Sequence, residues 1–156
     1  MAKKVMTTGL RNKGDKEPGL NLSFAVGPAG TNGRGDVMLA QALLNLIAEG
    51  HRDASMVGLL NNELPDTSDS FDGLTQLALI RFHTKWVRFV YPTIRGLIYP
   101  ADFKKYQDSE ILVGDGRRPA MVMLHGLASD AAGRLGETDY TLLMAKRFPQ
   151  LKPFIK

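Results

Sequence analysis

The stretch that decides the predicted fold is FDGLTQLALIRFH, residues 71–83. Its apolar residues recur at steps of three and four, which places them on one face of an α-helix. This face consists of Phe71, Leu74, Thr75, Ala78, Leu79 and Phe82. Asp72 can cap the first turn, and the pattern continues through Trp86 and Phe89 to about Val90. We therefore predict the longest and most aromatic helix of the chain here and expect it at the centre of the core.

A second amphipathic helix is predicted upstream, from Asp36 to about Glu49, with Gly50 ending it. The glycine-rich loop GPAGTNGRG, residues 27–35, precedes this helix, so Asp36 is expected to be its N-cap. Gln41 lies at the edge of the apolar stripe that the helix would bury. The stripe consists of Val37, Ala40, Leu43, Leu44 and Ile47.

The rest of the chain is predicted to extend one helical domain at both ends. Residues 1–19 are polar and punctuated by glycine, and we expect a flexible N-terminal arm there. Residues 20–131 would form the helical domain, and residues 132–156 a C-terminal helical extension.

Two further helices are predicted in the last third of the sequence. One would begin near Pro119 and carry Met121, Met123, Leu124 and Leu127. The other would run over residues 138–148, with Thr138 as its N-cap and Tyr140, Leu142, Leu143 and Ala145 facing inward. Alternation of strands and helices is not found, so the predicted fold class is mainly α.

Composition limits the chemistry more than it identifies it. The 156 residues are 44% hydrophobic and include no cysteine, which excludes disulfides, thiol catalysis and thiolate metal sites. The net charge of +4 is scattered along the chain and accompanies no nucleic-acid reader motif, so we do not expect nucleic-acid binding. No apolar run is long enough for a signal-peptide core or a membrane span. We expect synthesis in the cytosol, no membrane partner, and delivery to the cell envelope, if any, by a non-classical route.

The segment FAVGPAGTNGRGDVMLAQALLN, residues 24–45, resembles the opening of peptidoglycan-binding-like domains. That family commonly shows a short S-V-G segment, a glycine/asparagine loop and then D-V-x-x-x-Q-x-L-L-N. The matching residues here are Val26, Gly27, Asn32, Asp36, Val37, Gln41, Leu43, Leu44 and Asn45.

Residues 71–83 resemble the second signature of the same family, F-G-x-x-T-x-x-A-V-x-x-F-Q, with Asp72 in place of the glycine and His83 in place of the glutamine. Gly96-Leu97-Ile98 is similar to the turn before the family's third helix, although Tyr99 replaces the usual aspartate. DGRRPAMVMLHGL, residues 115–127, is similar to the closing element of longer variants, so the resemblance covers about residues 24–127.

The resemblance implies a compact three-helix bundle of the peptidoglycan-binding-domain type, with extra C-terminal helices. Its hallmark residues are expected to determine the fold rather than to bind ligand. These structural residues are Asp36, Gln41, Phe71, Thr75 and Phe82. Gln41 is expected to satisfy a neighbouring loop backbone.

The expected ligand-binding groups are polar and aromatic side chains on or just after the helix at residues 71–90, because a glycan-peptide needs donors and a ring on which sugars can stack. They are Arg81, His83, Lys85, Trp86, Arg95 and Tyr99. We expect no catalytic residues, metal or cofactor: His51, His83 and His125 show no metal-ligand spacing, and no G-x-S-x-G elbow is present.

Three functions remain open at this stage. The first is a non-catalytic module that binds cell-wall glycan-peptide or a cell-wall-associated protein. The alternative is a structural or adaptor protein of a secretion apparatus or phage particle, which uses the same bundle for protein–protein contact and homo-oligomerisation. The third is a cell-wall hydrolase whose site is assembled from distant residues.

Overall fold

The computed structural model describes residues 2–8, 16–51, 67–87, 94–103 and 120–155, and this part of the chain is mainly helical. The helices are α1 (Arg34–Gly50), α2 (Gly73–Trp86), α3 (Ala120–Arg134) and α4 (Tyr140–Arg147), followed by a 3₁₀ helix (Pro149–Phe154). Two strands precede them, β1 (Lys3–Thr8) and β2 (Lys16–Asn21). None of the described helices is both long enough and apolar enough to cross a bilayer.

β1 and the first four residues of β2 lie in the segment, residues 1–19, for which we expected a flexible arm, so that prediction is wrong for its described residues. β1 and β2 pair antiparallel, with Lys3 opposite Asn21. Ala2 and Leu20 are fully buried, and Ala2 also forms a parallel bridge with Ile155. The polar sequence hides this pairing because a two-stranded ribbon keeps one face in water, where Lys3 remains exposed.

The central helix is α1, and the expectation that residues 71–90 hold this place is wrong. Twelve of the 17 residues of α1 are buried, whereas only five of the 14 in α2 are. The run MLAQALLNLIA in α1 is almost continuously apolar, so neighbours can cover it on every side. One face of α2 carries Arg81 and Lys85, which leaves only the opposite face to bury.

The main packing partner of α1 is α3, and α4 and the 3₁₀ helix also contact it. Close approach at the end of α1 depends on Gly50, where a Cβ would lie 2.5 Å from the Ala131 Cα. The predicted boundary between residues 131 and 132 falls inside α3, which continues through it without a break.

Helix ends were predicted with mixed success. Asp72 caps α2 as expected, by accepting a hydrogen bond from the Thr75 N–H. The predicted cap of α4 is wrong, because Asp139 rather than Thr138 accepts from the first turn, at the Thr141 N–H. The expected continuation of α2 is also wrong, since the helix ends at Trp86; Phe89 and Val90 lie outside the described residues.

Candidate binding site

The buried Gln41 side chain connects α1 to the start of α2. Its Oε1 accepts from the backbone N–H of Ser68 at 3.0 Å and of Asp69 at 3.3 Å. Its Nε2 donates to the Ser70 carbonyl at 3.0 Å and to the Thr75 hydroxyl at 2.9 Å. An amide has two donor hydrogens and two acceptor lone pairs, so this one is fully used. The structure agrees with the loop-binding role that the sequence predicts for Gln41.

The network continues into the cap of α2. The Thr75 hydroxyl accepts from Gln41 and donates to the Asp72 carboxylate at 2.6 Å, while the Thr75 N–H reaches the same oxygen at 2.8 Å. These hydrogen bonds lower the pKa of Asp72, because they stabilise its charged form. Phe82 is buried on the same helix and Phe71 is half-buried against the core, so the motif residues of this region serve the fold.

Asp36 is buried in the first turn of α1, but it is not the N-cap that we expected. Gly33 occupies the cap position and makes no side-chain cap hydrogen bond. The Asp36 carboxylate instead accepts from the backbone N–H of Ser23 at 2.8 Å and of Phe24 at 3.2 Å. The reason is that α1 begins at Arg34, two residues earlier than predicted, which turns the carboxylate toward the preceding segment.

The turn at residues 94–98 is held from two sides. Val26 and Ile98 exchange two backbone hydrogen bonds, of 2.9 and 2.8 Å. On the other side the Gly96 N–H donates to His83 Nδ1 at 2.5 Å. Gly96 has a φ of 82°, a region that favours glycine, and a Cβ there would lie 2.8 Å from an Ile80 side-chain carbon. The turn is therefore fixed against α2.

His83 was predicted to bind ligand, and this prediction is wrong, because its side chain is only 1% exposed. Its ring serves the turn instead, and the sequence contained the signal: Thr75, Leu79 and His83 are spaced by four residues, so they share the buried face of α2. Burial, together with the nearby charge of Arg95, lowers the pKa of His83 to about 4. Since Nδ1 accepts a hydrogen bond, the neutral ring carries its proton on Nε2.

Three of the predicted ligand-binding residues are exposed at this place. Lys85 and Arg95 reach solvent, and Tyr99 is 51% exposed. Arg95 Nη1 also donates to the Thr84 hydroxyl at 3.4 Å, which brings the turn's guanidinium onto α2. Arg81, Thr84 and Lys85 are three and four residues apart and share the outer side of that helix. We call Arg81, Thr84, Lys85 and Arg95 the cationic face.

The two aromatic candidates differ in their surroundings. Trp86 is half-buried and packs against the core, which leaves little of its ring for a ligand. Its Nε1 is shielded from solvent and has no hydrogen-bond partner in the described structure. Tyr99 follows the buried Ile98 and points to solvent, and no hydrogen bond or ring contact between described residues joins it to the cationic face.

A buried polar cluster around His125 was missed by the sequence reasoning. His125 Nδ1 lies 2.9 Å from the Tyr140 hydroxyl, and Nε2 lies 3.0 Å from Glu17 Oε1. The Tyr140 hydroxyl also accepts from the Leu20 N–H at 2.7 Å. The Glu17 contact could not be foreseen, because the residue lies in the segment expected to be an arm. His125 and Tyr140 are each 1% exposed, so a substrate has no access and the cluster joins β2, α3 and α4.

His51 has the same kind of role at the end of α1. Its Nε2 lies 3.3 Å from the Leu127 carbonyl oxygen and 3.2 Å from Asp130 Oδ2, both on α3. Within the described ranges, no group of three or more His, Cys, Asp or Glu side chains is arranged to hold a metal ion. Each of the three histidines links separate parts of the fold.

The exposed residues of this region can therefore recognise a ligand by donating hydrogen bonds to it. The cationic face presents ammonium and guanidinium groups, which donate hydrogen bonds and accept none, so it suits a ligand that carries acceptors or negative charge. Comparison with known proteins identifies no relative that would indicate the kind of ligand: no protein-family model, curated protein or solved structure matches the chain.

Proposed function

We propose that this chain is a non-catalytic binding module of the peptidoglycan-binding type, built on that family's three-helix bundle, and that its ligand is the glycan-peptide of the cell wall. The observation that carries the proposal is the connected network at Gln41. Residues of both signatures meet there, since Gln41 of the first binds Thr75 of the second. Two motifs that are 34 residues apart thus make one interface.

Exposed residues near the other end of α2 support a binding role. His83 and Val26 hold the turn that carries Arg95, and Tyr99 follows directly after it. A fixed turn can present these side chains to a ligand with little loss of conformational entropy. A polar polymer of sugars and short peptides offers ring faces for Tyr99 and acceptor oxygens for Arg95.

Co-sedimentation with purified sacculi tests the proposal. We expect the wild-type protein to appear in the pellet, and the double variant Arg95→Gln/Tyr99→Ala to remain largely in the supernatant. Lys152→Gln is the matched control, because Lys152 is exposed on the 3₁₀ helix and its loss should leave binding unchanged. Circular dichroism must show that all three proteins are folded.

Absence of wild-type protein from the pellet would refute the proposal. The supernatant should contain no released muropeptides after long incubation. Release that persists in the double variant would instead establish a hydrolase with a site elsewhere in the chain.

A further inference from the structure

One segment of the sequence carries basic residues and no acidic ones. Residues 73–101 contain four of the chain's 20 Lys and Arg residues and none of its 16 Asp and Glu residues. Residues 1–14 have the same balance, with four Lys and Arg residues and no acidic one, so the excess of cations is not confined to a single stretch.

The fold brings three of these four cations together at the cationic face. Arg81 and Lys85 share a side of α2 with Thr84, and the turn fixed by His83 adds Arg95. The fourth, Arg88, lies outside the described residues. A stretch without acidic residues thus concentrates basic side chains on one face.

Three other exposed arginines of the described structure form ion pairs. These pairs are Arg34–Asp69, Arg134–Asp130 and Arg147–Glu49. Lys85 and Arg95 form no such pair with a described residue, as is also true of exposed lysines such as Lys146 and Lys152. Lys85 and Arg95 are distinguished by lying beside each other, because Arg95 reaches the hydroxyl of Thr84, the neighbour of Lys85.

Arg95 is also well prepared to bind an anion. Its one hydrogen bond to a described residue, the Thr84 hydroxyl, is long at 3.4 Å and uses one of five N–H donors. The Thr84 hydroxyl donates its own hydrogen to the Ile80 carbonyl at 2.9 Å, so its position is fixed. The remaining guanidinium edge can pair with both oxygens of a carboxylate.

We propose that the cationic face binds the free carboxylates of an acidic peptide. This inference rests on the proposed function in one respect, namely that the peptide in question is the stem peptide of the cell wall. A carboxylate suits the site better than a nucleic acid, because Phe82 and Trp86 beside it are buried or half-buried and the exposed Tyr99 is a single ring, whereas nucleic-acid binding stacks successive bases on several rings. Neutral sugars carry no negative charge that could pair with Lys85 and Arg95.

His83 provides an internal reporter of the bound charge. Arg95 lies close enough to lower the pKa of the His83 imidazole. A carboxylate on Arg95 would cancel part of that field, so the pKa of His83 should rise when the peptide binds.

The test is a titration of isotope-labelled full-length protein with the dipeptide L-alanyl-D-glutamate, followed by NMR. We expect amide shifts at the C-terminal half of α2 and at residues 94–98, and an upward shift in the pKa of His83. Affinity should fall about fivefold in Arg95→Gln or Lys85→Gln, and it should stay unchanged in Lys152→Gln. It should also fall between about 50 mM and about 300 mM salt, because exposed charges are screened.

Controls separate this inference from its competitors. The diamide of the same dipeptide should not bind, and equal binding of the diamide would overturn the proposal. Tighter binding of a short DNA duplex or of polyphosphate to the same residues would overturn it as well.

Failure of the function and failure of the inference are distinguishable. If the protein sediments with sacculi equally well at high salt and in the Arg95→Gln variant, the wall-binding function is supported and the carboxylate site is refuted. Dipeptide binding without sedimentation would confirm an acidic-peptide site and remove the cell wall as its source.

Discussion

Four hydrogen bonds converge on the buried amide of Gln41, and two of them satisfy backbone N–H groups of a loop. In Gln41→Ala the N–H groups of Ser68 and Asp69 would lose their acceptor. The substitution removes four hydrogen bonds of about 0.5–1.5 kcal/mol each and leaves a cavity where the buried side chain lay, so we expect a loss of about 2–4 kcal/mol in the free energy of unfolding.

Urea denaturation measures this loss, with Gln76→Ala as the control. Gln76 is exposed on α2, so its removal should change stability by less than about 0.5 kcal/mol. Equal effects of the two substitutions would show that the Gln41 network contributes nothing to stability.

The lowered pKa of His83 predicts that the stability of the protein falls as the pH is lowered. Its folded pKa is about 4, below the ordinary value of 6.5, so the unfolded chain binds the proton more readily. The stabilising contribution of the neutral ring is therefore complete above pH 6.5 and is lost as the pH falls toward about 4. The loss reaches at most about 1.4 kcal/mol per pH unit.

His83→Gln separates this titration from that of the carboxylates. A glutamine carbonyl can accept from the Gly96 N–H without titrating, so the variant should be less sensitive than wild type between pH 6.5 and about 4. His83→Ala should cost about 2–3 kcal/mol at neutral pH, because the Gly96 N–H is left without an acceptor and a cavity remains. Parallel stability curves for wild type and His83→Gln would contradict the role assigned to this ring.

At the scale of elements, the hairpin is attached to the helices through polar contacts. Tyr140→Phe keeps the ring but removes the acceptor of the Leu20 N–H and the partner of His125. We expect a loss of about 1–3 kcal/mol and faster hydrogen exchange at the Leu20 amide. Leu142→Ala is the control on the same helix, since Leu142 is 61% exposed. Unchanged exchange at Leu20 in Tyr140→Phe would mean that the strands hold their place without this cluster.

Sequence periodicity predicts the helices that have one apolar face and a clear signal at one end. The two motif helices and the Asp72 cap follow from such local patterns. Hairpin pairing could not be predicted, because it depends on Leu20 and Glu17 contacting α4 and α3 more than 100 residues away. The central position of α1 was not predicted, because we took aromatic content as the measure of burial. Burial depends instead on how many sides of a helix are covered by neighbouring elements.

The candidate site was predicted less well than the fold. Arg95, Lys85 and Tyr99 are exposed, as a binding role requires. His83 and Trp86 were expected to bind ligand because they supply a donor and a ring, but helical phase and packing place them on the inner side. Residue type alone does not distinguish a ligand contact from a hydrogen-bonding core residue.

At the scale of the whole molecule, α1 contacts both the C-terminal helices and, through Gln41, the start of α2. We therefore expect residues 20–131 and 132–156 to unfold together. Trp86, the only tryptophan of the chain, reports on α2 by fluorescence, while circular dichroism reports on all helices. The two signals should give the same urea midpoint.

Gly50→Ala tests this coupling at the contact between α1 and α3. The added Cβ would lie 2.5 Å from the Ala131 Cα and 2.7 Å from its carbonyl oxygen, so α1 and α3 must move apart. Overpacking of this kind costs about 1–3 kcal/mol, more than the helix gains by exchanging glycine for alanine. Both midpoints should fall by the same amount, although Trp86 lies on a different helix. A shift in circular dichroism alone, with the Trp86 transition unmoved, would divide the chain into two independently folding parts.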